Sequence, residues 1–124
     1  MMAGASQVIL ERFSADGVLQ AIQDHKVTVF PGVPTMFNYL VNFPDRGKYD
    51  LRSLRLCQSA GAVMPAKLTK DVERLYGVPL VDSYGITEAH SFVTMNEPNG
   101  RRPDGSCGTA IEGVEVRIVD REDR

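Results

Sequence analysis

Short apolar runs alternate with amphipathic stretches along the first two thirds of the chain. Four of these runs have the length and composition of buried strands. They are Gln7–Leu10, Val27–Phe30, Leu54–Cys57 and Val78–Val81. The run at Val27–Phe30 is followed by two prolines and a glycine within four residues, which predicts a turn directly after it.

Between the predicted strands, apolar residues recur every three or four positions, as on one face of a helix. A first helix is predicted to begin at Ser14 or Asp16, where a side-chain oxygen can cap it. A second is predicted to be capped by Thr35, and a third to run from Pro65 to Gly77. The residues predicted to face inward are Val18, Leu19, Ile22, Met36, Phe37, Leu40, Val41, Met64, Leu68, Val72 and Leu75.

The pattern changes after residue 90. Ser91–Met95 predicts a short strand, Asn96–Gly108 is rich in Gly, Pro, Asn and Asp and predicts a loop, and Val114–Val119 alternates as a half-exposed strand does. Strands that alternate with helices predict an α/β fold: a mostly parallel sheet with flanking helices, joined by right-handed crossovers. The chain is expected to end in short antiparallel strands.

The composition is that of an ordinary globular chain and excludes several classes of function. Of the 124 residues, 43% are hydrophobic and 24% are charged, and the formal net charge is −2. A nucleic-acid-binding domain would carry a strongly basic surface, and a membrane span would need about 20 apolar residues in a row; the sequence has neither. The first ten residues do not have the pattern of a signal peptide. Cys57 and Cys107 have no metal-binding spacing, so both are expected to be reduced thiols in a cytoplasmic protein.

Three segments follow predicted strands at the edge of the sheet where open α/β folds bind ligands. They are Gly32–Thr35, Ser59–Ala62 and Asp82–Glu88. The small residues of the second segment would let its backbone approach a flat or bulky ligand closely. Taken alone, a turn with no other role is the preferred interpretation of these four residues.

The third segment combines side chains that suit a nucleotide. Tyr84 offers an aromatic face for a base, Thr87 a hydroxyl for a phosphate or carboxylate, and Glu88 a carboxylate for Mg²⁺. Gly85 permits a tight turn beside the tyrosine. The alternative is a loop that leads into a helix, with Thr87 or Glu88 in the first turn.

Five stretches of the chain resemble one family. Tyr84–Glu88 matches the Tyr-Gly-x-Thr-Glu motif of the adenylate-forming superfamily, which includes acyl-CoA synthetases, adenylation domains of peptide synthetases and luciferases. The other stretches resemble fatty-acyl and aryl-CoA ligases in order and spacing. They are Val27–Met36, Leu54–Ala62, Gly105–Thr109 and Gly113–Asp120.

The resemblance implies a nucleotide site at the segments already singled out. Tyr84 is expected to stack on adenine, with Asp82 and Ser83 beside the adenine pocket and Gly85 in the same turn. The small residues Ala60, Gly61 and Ala62 are expected to line the gap between adenine and the acyl group. Ala60 stands where the family usually has a glycine, which adds a methyl group to this approach.

The resemblance also implies roles in catalysis. Thr87 is expected to contact the α-phosphate or the acyl carboxylate, and Glu88 to hold Mg²⁺ at the phosphates. The segment from Val33 to Met36 is expected near the acyl tunnel. His90 is placed either at the acyl pocket or, as the preferred alternative, at the surface.

The reaction implied by the resemblance joins a carboxylic acid to CoA with ATP and Mg²⁺, through an acyl-AMP intermediate. Residues 1–90 would belong to an α/β subdomain of the AMP-binding domain, and 91–124 to a loop and the start of the following β subdomain. The family's phosphate loop, a Ser/Thr/Gly-rich segment ending in Lys-Gly, does not occur in this sequence. We therefore expect an internal piece of the large N-terminal domain that is inactive alone and self-associates through uncovered apolar surface, which light scattering would detect.

Two alternatives remain open from the sequence. The chain could be a standalone α/β module that binds a nucleotide or a protein without catalysis. It could also come from an adenylation domain that loads a carrier-protein thiol in place of CoA.

Overall fold

The computed structural model describes residues 4–89 and 91–122. Over these residues the chain forms three α-helices and five strands. The helices are α1 (Ala15–His25), α2 (Pro34–Asn42) and α3 (Ala66–Tyr76). The strands are β1 (Val29–Gly32), β2 (Leu56–Ser59), β3 (Leu80–Ile86), β4 (Ser91–Met95) and β5 (Thr109–Ala110). Short 3₁₀ turns cover Arg46–Lys48 and Thr87–Ala89.

The five strands form one sheet in the order β1-β2-β3-β4-β5. The first three strands are parallel, and β4 and β5 are added in antiparallel fashion. The predicted α/β class, with a parallel sheet that ends in short antiparallel strands, is therefore confirmed. Because β4 pairs with β3, the hydrogen bonds of the sheet cross the predicted division after residue 90; the division itself stays a prediction.

Strand β3 changes partner halfway along its length. Leu80 to Asp82 pair in parallel with β2, whereas Ser83 to Ile86 pair antiparallel with β4. A bulge interrupts the second pairing between Tyr84 and Gly85. The sequence pattern ended this strand at Val81, so the segment predicted as a loop is in fact the second half of β3.

The helix ends follow local chemistry that the sequence only partly revealed. Ser14 caps α1 as predicted, and its hydroxyl accepts a hydrogen bond of 3.0 Å from the N–H of Gly17. Gly77 ends α3 in the left-handed conformation, with φ of 68°. The cap predicted at Thr35 is wrong: α2 begins earlier, because Pro34 occupies its first turn and Val33 is the N-cap.

The core lies between the helices and the sheet, in two adjoining clusters. The first joins α1 to α2 and the second joins α2, α3 and the central strands. Phe37 is fully buried in the second cluster and meets Phe30 edge to face, with ring centroids 5.4 Å apart. Of the predicted inward residues, Leu75 is instead exposed, and Tyr76 packs against both clusters.

Two predicted strands are absent from the described residues. Gln7–Leu10 forms no strand pairing, and Ile9 is 84% exposed. Val114–Val119 is also unpaired, and Ile118 is 95% exposed. An apolar pattern favours a strand only where a neighbouring strand supplies backbone hydrogen bonds, and neither segment has such a neighbour here. The short strand β5 was not predicted.

Strand β1 runs two residues further than predicted, through Pro31 and Gly32. In the described chain β1 pairs with β2 alone, so it is an edge strand. The carbonyls of Thr28 and Gly32 accept hydrogen bonds from the β2 side. Because backbone groups alternate in direction along a strand, Pro31 turns its nitrogen to the open side, where no N–H is needed. No helix in the described residues is long and apolar enough to cross a membrane.

Substitution of Phe37 by alanine tests the position of the core. The side chain is fully buried, so its removal leaves a cavity between α2, α3 and the sheet. We expect Phe37→Ala to lower the free energy of unfolding by about 3–5 kcal/mol in urea titrations. The matched control is Tyr39→Ala on the same helix, where the side chain is 64% exposed and the expected change is about 0.5 kcal/mol or less. Equal losses in the two variants would contradict the proposed core.

Candidate active site

A cleft of about 480 Å³ opens at the carboxyl end of the parallel strands. Two segments singled out in the sequence meet there: the turn after β2 and the end of β3. The lining residues are Ala60, Gly61, Gly85, Ile86, Thr87, Ser91 and Phe92. Four of them, Ala60, Gly61, Gly85 and Thr87, are predicted site residues, and the structure brings these four to one cleft.

Backbone geometry at two glycines shapes the cleft. Gly85 lies so close to the start of β4 that a Cβ atom there would come within 1.7 Å of the Ser91 carbonyl oxygen. Gly61 has φ of +82°, a conformation that favours glycine. A Cβ at Gly61 would meet only Val33, at 3.7 Å, so the space beside this residue is open. Gly85 thus allows β3 and β4 to approach closely beside the cleft, and Gly61 allows the turn after β2.

Tyr84 and Asp82 occupy alternate positions of β3, and neither lines this cleft. The Tyr84 side chain is 47% exposed at the bulge, so part of it is accessible to a ligand. Asp82 lines a second, smaller cavity of about 40 Å³, together with Asn96, Arg102 and the loop that ends at Ser106. Two predicted nucleotide residues therefore lie outside the cleft: Tyr84 at the exposed surface of β3 and Asp82 in the smaller cavity.

The Asp82 carboxylate is partly buried, and burial raises its pKa above the ordinary value. The backbone N–H groups of Met64 and Ser83 oppose this rise, because they stabilise the charged form. The N–H of Ser83 donates to Asp82 Oδ1 at 3.2 Å. The carboxylate thus accepts hydrogen bonds from backbone N–H groups, at the point in β3 where the pairing with β2 ends, and no ion pair is among its bonded partners.

Ser83 is oriented into the sheet. Its side chain is buried; the hydroxyl donates to the Ser59 carbonyl at 3.0 Å and accepts from Gln58 Nε2 at 3.3 Å. A ligand at this position would therefore meet the backbone of Ser83 while the hydroxyl stays engaged with β2. The serine joins β3 to the residue that immediately precedes the turn at Ala60.

Thr87 and Glu88 lie in the 3₁₀ turn directly after β3, where the sequence alternative placed a helix. Thr87 lines the cleft, and Glu88 is exposed beside it. Residues 4–89 and 91–122 contain no group of three or more His, Cys, Asp or Glu that could hold a metal ion. One carboxylate still fits Mg²⁺, which commonly takes one or two protein carboxylates and completes its shell with phosphates and water.

Some residues that line the cleft were not predicted, and some predicted residues lie elsewhere. Ser91 and Phe92 line the cleft but were not predicted, because they arrive through the antiparallel return of β4. Ile86 also lines the cleft; it lies within the predicted segment Asp82–Glu88 but was given no role there. Ala62 is exposed and does not line either cavity. His90, predicted at the acyl pocket or the surface, lies outside the described residues.

The thiol of Cys57 is not placed to act as a nucleophile. The residue is 1% exposed inside the core, and burial raises its pKa to about 12. The reactive thiolate is therefore almost unpopulated at neutral pH.

Substitution at Gly85 tests the close approach of β3 and β4. We expect Gly85→Ala to destabilise the fold by about 2 kcal/mol or more, because its methyl group would overlap the Ser91 carbonyl. Gly47→Ala is the matched control, since a Cβ there meets no heavy atom within 4 Å, and its expected change is about 0.5 kcal/mol or less. Urea unfolding followed by circular dichroism measures both, and wild-type stability in Gly85→Ala would rule out the close approach.

The pKa of Asp82 predicts a pH dependence of stability. Because the folded pKa lies above the ordinary 3.8, the unfolded chain loses its proton first, and Asp82 destabilises the fold as pH rises through the raised value. We expect the wild type to lose stability relative to Asp82→Asn as the pH rises above the ordinary pKa of 3.8, in urea titrations. Asp50→Asn is a control of opposite sign: the hydrogen bond from Arg52 lowers the pKa of Asp50, so its contribution is lost as pH falls. Parallel pH profiles for the two variants would contradict the assignment.

Known proteins of one family are similar to this chain. A family model described as AMP-binding enzyme matches residues 1–124. A long-chain-fatty-acid–CoA ligase of Bacillus subtilis (strain 168) is 32% identical over 119 residues, which are 96% of this chain and 21% of that protein. A 4-coumarate–CoA ligase 1 of Glycine max is 35% identical over 126 residues, covering 97% of this chain and 43% of the relative.

Among solved structures, an anthranilate CoA ligase, AuaEII, in complex with anthranoyl-AMP superposes with a TM-score of 0.90. It is 36% identical, and the match covers 98% of this chain and 24% of the ligase. The chain thus spans less than half the length of each of these three proteins. The match over all 124 residues shows that the chain belongs to the family of AMP-binding enzymes.

Proposed function

We propose that this chain is part of an AMP-forming acid–CoA ligase and contributes one wall of the site where the acid is adenylated. The observation that carries the proposal is the cleft of about 480 Å³ at the carboxyl end of the sheet, where the turn at Ala60 and Gly61 meets Gly85 and Thr87. The named relatives are CoA ligases, and the solved anthranilate ligase was captured with an acyl adenylate.

Residues in the cleft and on the neighbouring surface of β3 suit the proposed ligand. Gly61 leaves open space beside the turn, so the backbone can approach a flat group closely. The exposed ring of Tyr84 offers one stacking face for adenine. Asp82 is proposed beside the base, where its carboxylate can accept a hydrogen bond from an amino group.

The far side of the cleft suits the body of the acid. Ile86 and Phe92 line it and give it an apolar wall. An apolar wall favours acids with an aliphatic or aromatic body over small polar acids. This fits the range of acids in the names of the relatives, which runs from long-chain fatty acids to 4-coumarate and anthranilate.

The proposed reaction has two displacement steps. A carboxylate oxygen of the acid attacks the α-phosphorus of ATP, the bond to the bridging oxygen breaks, and pyrophosphate leaves with the electron pair. The thiolate of CoA then attacks the acyl carbon, and AMP leaves as the thioester forms. Neither step needs a covalent bond to the protein, so the residues act by positioning and by stabilising charge.

Thr87 and Glu88 are the residues proposed to act at the reacting groups. The Thr87 hydroxyl can donate to an oxygen of the α-phosphate or the acyl carboxylate. Glu88 is exposed at the rim and is proposed to hold Mg²⁺, which would neutralise phosphate charge when bound. The remaining phosphate contacts would come from the parts of the ligase that this chain does not include.

The experiment uses the longer ligase of this proposal, with ATP, Mg²⁺, CoA and a panel of fatty, cinnamic and aromatic acids. We expect thioester formation by the wild type and a loss of about 10²–10³ in kcat for Thr87→Val, because one donor to developing charge is removed. Thr28→Val is the control, since Thr28 is exposed just before β1 at the other end of the sheet and should keep wild-type rates.

Two outcomes would overturn the proposal. Absence of thioester and of acyl-AMP with every acid would exclude a ligase, and AMP binding without either product would favour the standalone binding module. Thioester formation on a carrier protein, but never on CoA, would identify the other acceptor. The 124-residue chain assayed alone is expected to form no thioester.

A further inference from the structure

The side chain of Asn96 joins two parts of the chain that are distant in sequence. Asn96 follows β4 directly and is 5% exposed. Its backbone N–H donates to the Asp82 carbonyl at 3.0 Å. Its Nδ2 donates to the same carbonyl at 3.3 Å and to the Ser106 carbonyl at 2.6 Å. Because both partners are carbonyl oxygens, only the nitrogen of the amide can face them.

On one side, Asn96 holds the loop that runs from Pro103 to Gly108. The Ser106 hydroxyl accepts from the N–H of Gly108 at 3.1 Å, so the loop is closed on itself at the point that Asn96 binds. Gly108 packs against the end of β4, where a Cβ atom would come within 2.0 Å of the Met95 backbone. A separate bond holds the same loop: Thr94 Oγ1 donates to the Cys107 carbonyl at 2.9 Å.

On the other side, Asn96 holds β3 where it changes partner. Its acceptor is the carbonyl of Asp82, the last residue of β3 paired with β2. The next residue, Ser83, donates its hydroxyl to the Ser59 carbonyl at 3.0 Å. Ser59 precedes Ala60, whose N–H donates to the Gly32 carbonyl at 3.2 Å. A continuous path of hydrogen bonds and covalent bonds thus leads from the loop through Asn96 to the turn that lines the cleft.

The chemistry of this position is restrictive. A carboxylate in place of the amide would turn an acceptor oxygen toward two carbonyl oxygens. An apolar side chain would remove the amide donor from the Ser106 carbonyl and leave the Asp82 carbonyl with the backbone N–H of residue 96 alone, so the loop would no longer be tied to β3 through this side chain. Thr94, in contrast, binds the loop without contacting Asp82. Thr94 therefore only attaches the loop to β4, whereas the side chain of Asn96 also connects the loop to β3. Variants at the two positions can distinguish these effects.

We propose that Asn96 is a positioning residue that couples the loop from Pro103 to Gly108 to the nucleotide side of the cleft, through Asp82 and Ser83. The part of this inference that concerns the nucleotide rests on the proposed function. Asn96 does not line the cleft of about 480 Å³, and it acts on that cleft by holding the carboxyl ends of β2 and β3 in place.

Amide hydrogen exchange on the 124-residue chain tests the coupling. We expect Asn96→Ala to lower the protection of the Ala60 and Ser83 amides by about tenfold or more, together with that of Gly108. Thr94→Val, a substitution of nearly equal shape, is expected to lower protection at Gly108 while Ala60 and Ser83 keep wild-type values. Asn96→Asp is a second variant, and its repulsion from two carbonyls should give a larger loss at Ala60 and Ser83 than alanine gives.

Two results of this measurement would overturn the coupling. One is wild-type protection of Ala60 and Ser83 in Asn96→Ala. The other is an equal loss at these amides in Thr94→Val, since the loop as a whole would then be responsible.

The nucleotide part is tested in the longer ligase by the KM for ATP. We expect Asn96→Ala to raise the KM for ATP by about tenfold and to leave the KM for the acid unchanged, with wild-type values for Thr94→Val. A change shared by both KM values, or no change in the KM for ATP, would overturn it. Failure of the wild type to make any acyl-AMP would count against the proposed function alone, because the exchange measurement still decides on the coupling.

Discussion

The change of partner within β3 is the constraint on which the candidate site depends. The first half of the strand takes its hydrogen bonds from a parallel neighbour, and the second half takes them from an antiparallel one. A strand that stopped at Val81 would leave Tyr84 to Thr87 in a free loop. The second pairing fixes this segment to β4, so backbone geometry holds the side chains that the proposed reaction needs. Preorganisation of this kind lowers the entropy that binding must overcome.

The close approach of Gly85 and Ser91 follows from the same pairing. The bulge at Tyr84 shifts the register by one position, which brings Gly85 opposite Phe92 and beside the Ser91 carbonyl. Only a residue without a side chain fits there. Ser91 itself has φ of +96°, an uncommon value for serine. Strained backbone of this kind is often found where a site requires a particular geometry.

The sequence was sufficient for the elements that local chemistry determines. The cap at Ser14, the end of α3 at Gly77 and the buried faces of α1 and α2 depend on neighbouring residues, and all were predicted. Strands depend on partners. Gln7–Leu10 and Val114–Val119 have strand-like patterns but no neighbouring strand in the described residues, whereas Ser83 to Ile86 have turn-like residues and pair with β4. In each case a strand forms only where a neighbouring strand supplies backbone hydrogen bonds.

The parts of the site that could be predicted are those that do not depend on the pairing with β4. The meeting of Gly61 with Thr87 follows from a general rule for open α/β sheets, because the carboxyl ends of neighbouring parallel strands share one edge. The contribution of Ser91 and Phe92 requires knowledge of the antiparallel return, which no local pattern contains. The division of Asp82 and Ser83 between opposite faces of β3 follows from strand geometry once the segment is known to be a strand.

Pro31 has a consequence for the behaviour of the chain in concentrated solution. An edge strand with free N–H groups is a template on which a strand from another molecule can grow, and this is one route to fibres. On the open side of β1, the nitrogen of Pro31 has no hydrogen to donate. An incoming strand would lose one of the few hydrogen bonds that a four-residue edge can offer. The proline at position 31 thus makes the edge strand β1 a poor surface for ordered aggregation.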